Sequence, residues 1–500
     1  MNKKGIVASI DHWGMIEPER IAYQTPTEQY TFKQLKQFSD ALASYLDKRL
    51  TNQGPIVVFG NLEFEMIVAF LGATKSGHAY LPIEEHTPIE RIETIIKVAQ
   101  PAMVISIGQW SLETDIPVMS KDCLRSITTS MVGYVPLNPV KKEETFYIIF
   151  TSGTTGEPKG VQISHDNLVS FVQWTKTEFQ FEEDMRFLAQ APFSFDLSVF
   201  SIYPALVYGG MLKPLKKSVV QDFRQLIARL DHFQLDVWIS TPSFIDICLM
   251  EPSFDEHLIP ELSMFIFCGE ELTKKTAQEL LKRFPSAKIY NTYGPTEATV
   301  AVSSLMITPE ILAQYERLPI GYVKEDTNVW IAKDEEQESG EIIICGPSVS
   351  QGYLNNPKKT NEAFFKKDDQ RSYRTGDVGR FAENRLLFIE GRMDQQIKLQ
   401  GYRIELGDIE HGLLKDERVK QAVVVPKYNG TKVQQLVAFI VLETNTKEQG
   451  FALTRSLKKQ MAQFVMDYMI PKKFVYVDHL PQTVNGKLDR KALTAEVNET

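Results

Sequence analysis

An α/β fold with largely parallel sheets, followed by a smaller α+β domain, is predicted by three features of this sequence. Short apolar runs alternate with amphipathic, helix-like stretches through most of the 500 residues. That order builds parallel sheets covered by helices. After about Gly340 the texture changes, and strands and turns follow one another without helices between them. A separate strand-and-helix pattern begins near Asp394.

Pro55–Phe59 (PIVVF) reads as a buried strand, and Glu63–Lys75 as the helix after it. Met103–Ile107 is a further strand, and Phe146–Phe150 (FYIIF) is a short apolar run that enters a glycine-rich loop. Val237–Ser240, Met264–Phe267 and Lys288–Tyr290 read as strands next to helical pattern. Ligands of such folds gather in loops beyond the strand C-termini, so the chemistry is expected at these junctions. GEIIICGPSVSQGY and RLLFIEGR read as strands joined by turns. Past a boundary at Met393–Gln395 come a strand (Gln396–Leu399), a helix (Leu406–Leu414), two strands (Gln421–Pro426, Gln435–Leu442), a helix (Leu453–Tyr468) and a short end. The expected domains are residues 1–393 and 394–500, the second of a common domain size.

Composition narrows the function. A hydrophobic fraction of 43% and a charged fraction of 24% are those of a globular protein. The net charge of -9 argues against a general nucleic-acid binder, though a nucleotide ligand needs only a few local donors. Cys123, Cys248, Cys268 and Cys345 are far apart and form no zinc-like spacing, so they read as reduced, buried thiols. MNKKGIVASIDHW has no apolar core of a signal peptide, and Met66–Ala73 is too short to span a bilayer. The expectation is a cytoplasmic protein that is not membrane-embedded.

The strongest local signal is TSGTTGEPKG at Thr151–Gly160, directly after FYIIF. Glycines let backbone N–H groups approach a ligand, Thr151 and Ser152 add hydroxyls, and Lys159 adds charge. Composition alone fits a surface loop equally well, and the position after a buried strand favours phosphate. The pattern is not a Walker A loop.

TSGTTGEPKG resembles the phosphate-loop signature of the adenylate-forming superfamily, which includes acyl-CoA synthetases, firefly luciferase and the adenylation domains of peptide synthetases. YTFKQL, NTYGPTEATV (Asn291–Val300), GEIIICGPSVSQGY, YRTGD (Tyr373–Asp377), GRMDQQIKLQGYRIE (Gly391–Glu405) and NGKLDR (Asn485–Arg490) resemble its other motifs in order. The resemblance covers nearly the whole chain. It implies a large N-terminal domain of stacked α/β sheets with a β-barrel-like subdomain, and a small mobile α+β C-terminal domain. It also implies ATP and Mg2+.

By this resemblance Thr151, Ser152, Asn291, Thr292, Tyr293, Gly294, Pro295, Thr296, Asp377, Ile389, Glu390, Gly391, Arg392 and Lys487 belong to the nucleotide site. Tyr293 offers a ring for adenine, Thr296 a hydroxyl for phosphate, and Glu297 a hard oxygen for Mg2+. Read alone, Tyr293 is a core aromatic, Glu297 a solvated carboxylate, Asp377 a turn residue and Arg392 a surface salt bridge. Lys487, alone a solvated surface charge, is implied to stand between the ATP α-phosphate and the attacking carboxylate. Asp394 resembles the hinge about which the small domain turns.

Asp196 in APFSFDLSVF bears on the acyl group. In amino-acid-activating members a carboxylate at this motif meets the substrate ammonium, and a buried carboxylate needs such a partner. The alternative is a helix N-cap before Leu197–Tyr203. Cys268 and Val300 are expected to narrow the pocket around a very small side chain. FCGE, NTYGPTEATV and PFSFDLS together look most like the D-alanine–D-alanyl carrier protein ligases of Gram-positive bacteria. That likeness implies D-alanine as substrate and a separate phosphopantetheinylated carrier protein as acceptor, for D-alanylation of lipoteichoic acid. Handedness comes from the resemblance alone. Lys472 and Lys473 are candidates for meeting an acidic carrier, although a solvated charged pair is the reading that residue type alone favours. An L-amino-acid adenylation enzyme or a short-chain acyl-CoA synthetase is the alternative enzyme, and a nucleotide-binding regulator is the alternative of another class.

Overall fold

Residues 5–128, 133–153, 158–231, 233–443, 450–482 and 488–499 are described by the structure, a computed structural model. Lys487 and its neighbours Asn485 and Gly486 lie outside the described residues. The chain divides into two units. One comprises Met1–Glu85, Ala99–Ile149 and Gly160–Met393, and the other His86–Val98, Phe150–Lys159 and Asp394–Thr500.

The first unit is built on two large sheets. Ile56–Gly60 is buried at every position, as a central strand covered on both faces must be. It lies between Met103–Ser106 and Tyr80–Glu84 in a sheet whose order continues through Val118–Ser120 on one side and Thr145–Thr151 and Lys159–Ser164 on the other. The helix Phe64–Lys75 follows Ile56–Gly60 and is buried along its whole length, in keeping with its apolar residues on every side. In the second sheet Lys288–Tyr293, Met264–Phe267, Val237–Ser240, Arg186–Ala189, Met211–Pro214 and Ile21–Gln24 run parallel. Antiparallel strands flank them, Ser303–Met306 and Tyr322–Val323 at one edge and Gln29–Thr31 at the other. One core holds aromatic residues from both sheets and their helices, among them Phe70, Tyr80, Phe146, Tyr147, Phe200 and Tyr203.

After residue 327 the architecture becomes antiparallel. Asn328–Ala332 pairs with Gly340–Cys345, which pairs with the long strand Gln370–Phe381. The first half of that strand carries Phe364–Lys367 and the second half carries Leu387–Arg392. The sequence suggests such strands only after about Gly340, whereas the sheet begins earlier, at Asn328.

The second unit has its own core. Gln396–Leu399 pairs with Tyr402–Glu405, and the helix Leu406–Leu414 follows at once. Val419–Asn429 and Lys432–Leu442 form a hairpin, and Lys473–Tyr476 adds to it in parallel. The helix expected over Leu453–Tyr468 instead spans Gly450–Met461. Beyond it Gln463 and Phe464 donate to carbonyls three residues back, so the turn tightens toward 3₁₀ geometry. Val465, Met466 and Met469 still reach the core, which is why the apolar period persists past the helix end. The expected short end contains the strand Lys473–Tyr476 and the helix Arg490–Asn498.

Candidate active site

The strand Lys288–Tyr293 delivers the central residues. Asn291 Nδ2 donates to the Pro319 carbonyl at 2.8 Å, and Thr292 Oγ1 to the Phe267 carbonyl at 2.8 Å. These bonds fasten the strand end, so the two polar side chains are buried yet satisfied. The chain then turns at Gly294, where a Cβ would stand 2.6 Å from Ala301 Cα and 2.7 Å from the Val300 carbonyl oxygen. Only glycine fits so close a return. Pro295 precedes a single 3₁₀ turn, Thr296–Ala298. Thr299 and Val300 follow with φ of 57° and 69°, a left-handed conformation that β-branched residues rarely adopt. Thr299 Oγ1 donates to the Ser348 carbonyl at 2.7 Å. Val302 N donates to the Tyr293 carbonyl at 2.8 Å and closes the loop.

Three predicted residues form one hydrogen-bonded set. Asp377 on Gln370–Phe381 stands opposite Arg392 on Leu387–Arg392. The Tyr293 phenol donates to Asp377 Oδ2 at 2.6 Å, and Arg392 Nη1 donates to Oδ1 at 2.7 Å. Burial, and then the Asp377 carboxylate, push the phenol well above its ordinary range, so Tyr293 remains a donor at neutral pH. Ile389 packs against the apolar cluster that contains Tyr293. Glu390 lies apart from this set: its carboxylate meets Arg380 at 2.8 Å and its carbonyl accepts from Arg317. Gly391 pairs with Val378, and a Cβ there would meet nothing within 4 Å.

Glu297 is fully buried, which rules out the solvated carboxylate that its sequence context also allows. Its Oε1 accepts the Tyr353 hydroxyl at 2.8 Å, and its carbonyl accepts Ser350 N at 2.9 Å. Tyr353 was not singled out from the sequence, although it ends the GEIIICGPSVSQGY motif. No group of three acidic, histidine or cysteine side chains suited to a metal occurs among the described residues. A single fixed carboxylate does fit Mg2+, which commonly takes one or two carboxylates with phosphates and water.

Asp196 directly precedes the helix Leu197–Val207, but its side chain makes no capping bond. Its Oδ2 accepts the Thr296 hydroxyl at 2.7 Å instead, and both residues are buried. The N-cap alternative is therefore set aside. Cys268 Sγ lies 3.7 Å from the Val300 carbonyl oxygen. Asp196 and Cys268 thus each touch the 294–302 loop, Asp196 at Thr296 and Cys268 at Val300.

Thr151 and Ser152 are described within the second unit. Ser152 Oγ donates to the Arg403 carbonyl at 2.8 Å, Gly153 N to Asp408 Oδ2 at 3.3 Å, and Thr151 Oγ1 to the Lys159 carbonyl at 3.5 Å. Glu405 is raised above the usual carboxylate range, chiefly by burial. Lys159 and Arg403 oppose the shift, and Asp394 and Asp408 add to it. Residues 154–157 of the glycine loop lie outside the described residues, as does Lys487.

Residues 10–354 match the family described as AMP-binding enzyme, and residues 408–487 match the AMP-binding enzyme C-terminal domain. The chain is 49% identical to the D-alanine–D-alanyl carrier protein ligase of Lactiplantibacillus plantarum, over 99% of each chain. It is 47% identical to the protein of that name from Streptococcus agalactiae, again over 99% of each. Among solved structures it resembles PA1221, an NRPS protein containing adenylation and PCP domains, with 25% identity and a TM-score of 0.79 over 99% of this chain and 97% of that one. It shares its fold with the Vibrio cholerae adenylation domain AlmE in complex with glycyl-adenosine-5'-phosphate, with 24% identity and a TM-score of 0.83 over 99% and 97%.

Proposed function

This chain belongs to the AMP-binding enzyme family, and from that premise we infer that it activates D-alanine with ATP and passes it to a separate carrier protein. The first product is D-alanyl-adenylate with pyrophosphate. The second is a thioester on the carrier's phosphopantetheine, with AMP released. The observation that carries this reading is Asp196, a buried carboxylate at a helix start that takes no capping bond. A buried anion of this kind is complemented by a substrate ammonium, which plain acyl acids lack. Near-half identity to ligases of that name, over the full length, supports the same substrate and acceptor.

The proposed chemistry assigns each group a task. Asp377 accepts the ribose hydroxyls, with Tyr293 and Arg392 holding its carboxylate in place. Cys268 and Val300 bound the methyl side of the amino-acid pocket. Thr296 is assigned to the phosphate side of the site, and Glu297 with its Tyr353 partner would hold Mg2+. Bound there, Mg2+ would neutralise phosphate charge. The D-alanine carboxylate attacks the α-phosphorus, the bond to the bridging oxygen breaks, and pyrophosphate leaves. Lys487 stands between the two anions and offsets their repulsion. The small domain then turns at Asp394 and the carrier thiol attacks the acyl carbonyl, losing its proton as AMP departs. No helix among the described residues is long and apolar enough to cross a membrane. We place the enzyme in the cytoplasm, where it charges the carrier for D-alanylation of lipoteichoic acid.

Pyrophosphate exchange into ATP tests this, with D-alanine, L-alanine, glycine, D-serine and acetate in parallel. Exchange is expected to be fastest with D-alanine. Exchange driven by acetate would overturn the role of Asp196. Preference for an L-amino acid would overturn the roles of Cys268 and Val300 in selecting the substrate.

A further inference from the structure

Leu480 and Leu493 are buried in one apolar cluster of the second unit. None of the described residues between them is buried, so apolar packing does not place the chain on either side of Lys487. Backbone and charged contacts do. Asp489 N donates to the Pro481 carbonyl at 2.8 Å, and Gln482 and Leu488 form an antiparallel bridge. Asp489 Oδ1 accepts Ala492 N at 3.0 Å and caps the helix Arg490–Asn498. Lys487 is bonded to Leu488, and consecutive Cα atoms stand about 3.8 Å apart. Whatever fixes Leu488 and Asp489 therefore limits where the Lys487 backbone can be.

Arg490 makes the most directional of these ties. Its guanidinium meets both oxygens of Glu410, Nη1 at Oε1 and Nη2 at Oε2, the second at 3.0 Å. Nη1 also donates to the Val424 carbonyl at 2.6 Å, and Glu410 Oε1 accepts Val424 N at 2.8 Å. The pair thus engages both backbone groups of one residue on Val419–Asn429, an edge strand of its sheet. The two side chains are 17% and 15% exposed, and a bidentate arginine–carboxylate pair fixes direction as well as distance. At the far end of the helix, Asn498 Nδ2 donates to the Pro426 carbonyl and its Oδ1 accepts Tyr428 N. The helix is therefore held to one strand edge at its first residue and at its last. Glu410 lies on Leu406–Leu414, which follows the strand pair that begins two residues past Asp394. The Arg490–Glu410 pair ties the tail carrying Lys487 to the segment that leaves the hinge.

We propose that Arg490 and Glu410 are positioning residues for adenylation, which hold the backbone beside Lys487 so that its ammonium arrives between the α-phosphate and the attacking carboxylate. The proposal rests on the assignment of Lys487 to that place. A lysine stem is long and flexible, so its aim depends on a fixed backbone. A misplacement of about 1 Å at a reacting centre can cost on the order of a hundredfold in rate. The thioester step follows the turn of the small domain that withdraws Lys487, so it does not depend on the tie in this way.

The test compares two rates in one preparation of the full chain. One is D-alanine-dependent pyrophosphate exchange, and the other is transfer from preformed D-alanyl-adenylate to a phosphopantetheinylated D-alanyl carrier protein. The quantity read is the ratio of exchange to transfer, which partial unfolding leaves unchanged because it lowers both rates alike. Arg490→Lys keeps the charge and loses the fork. Glu410→Gln loses the charge and keeps an acceptor for Val424 N. Each is expected to lower the ratio on the order of tenfold or more, through kcat and not through KM for ATP or D-alanine. In a Lys487→Ala chain, which has no ammonium to position, Arg490→Lys is expected to lower the ratio no further. The two variants alter opposite partners, so either decides the matter should the other fold poorly. An unchanged ratio in a folded variant, or a full further loss in the Lys487→Ala chain, overturns the positioning role and leaves D-alanine activation standing. An unchanged ratio in Lys487→Ala itself overturns the assignment of Lys487, and the proposal with it. A wild-type chain without exchange on D-alanine overturns the proposed function.

Discussion

Asp377, Glu297 and Asp196 in the first unit each have a donor of their own. Asp377 has Tyr293 and Arg392, Glu297 has Tyr353, and Asp196 has Thr296, at 2.6 to 2.8 Å. The carboxylates around Glu405 in the second unit are arranged differently. Asp394 and Asp408 both act to raise Glu405, against Lys159 and Arg403. One region separates its negative charges and satisfies each locally, which favours a site organised before its ligand arrives. The other gathers like charges, so its balance depends on cations nearby and on pH. A site of the first kind should respond to substitution through binding and chemistry, and a region of the second kind through stability.

The largest expected effect cuts across a division by unit, at Lys487, which belongs to the second unit but is assigned to the chemistry. Lys487→Ala is expected to slow pyrophosphate exchange by on the order of 10²- to 10³-fold, the range seen when a charge-stabilising donor is lost. Thioester formation from preformed D-alanyl-adenylate should fall far less. Equal losses in both half-reactions would remove Lys487 from the adenylation step.

Next comes the Tyr293–Asp377–Arg392 set. Asp377→Asn removes the carboxylate charge that Arg392 meets at 2.7 Å, at a site where both side chains are mostly shielded. A roughly tenfold or greater rise in KM for ATP is expected, from loss of a charge-assisted hydrogen bond. KM for D-alanine should move little. If both constants move together, Asp377 supports the whole site and not the nucleotide alone.

Local pattern was a good guide where one face of one element decides the outcome. Gln396–Leu399 and Leu406–Leu414 begin and end where the sequence suggests, because each buries a regular apolar face. The strand read as Lys288–Tyr290 runs on to Tyr293. Asn291 and Thr292 are polar, and only their bonds to the Pro319 and Phe267 carbonyls make burial acceptable. Those partners are distant in sequence, so propensity could not reveal them. The same limit applies within the site. Thr296 and Asp196 are 100 residues apart and Tyr353 and Glu297 are 56 apart. Motifs named most of the members, but not which hydroxyl would hold which carboxylate. Tyr353 had the weakest signal, since a tyrosine in a strand-and-turn segment ordinarily reads as packing.

The smallest expected effect tests the second half of the comparison. Glu405 is 3% exposed, and its carboxyl titrates above the usual range because burial outweighs the pull of Lys159 and Arg403. For a raised carboxylate the folded state binds its proton more readily than the unfolded chain does. Stability therefore falls as pH rises from the ordinary glutamate range through the raised folded value, and the cost is fully present above it. Glu405→Gln removes the charge and keeps nearly the same shape. Thermal unfolding of the full chain should show the variant a few degrees or less above the wild type at pH 7. That gap should close as pH is lowered through the raised Glu405 range, where the wild-type side chain is protonated and resembles the amide. A variant less stable than the wild type at pH 7 would mean that Lys159 and Arg403 outweigh burial. Glu405 would then belong with the locally satisfied carboxylates of the first unit, and the contrast between the two regions would fail at this residue.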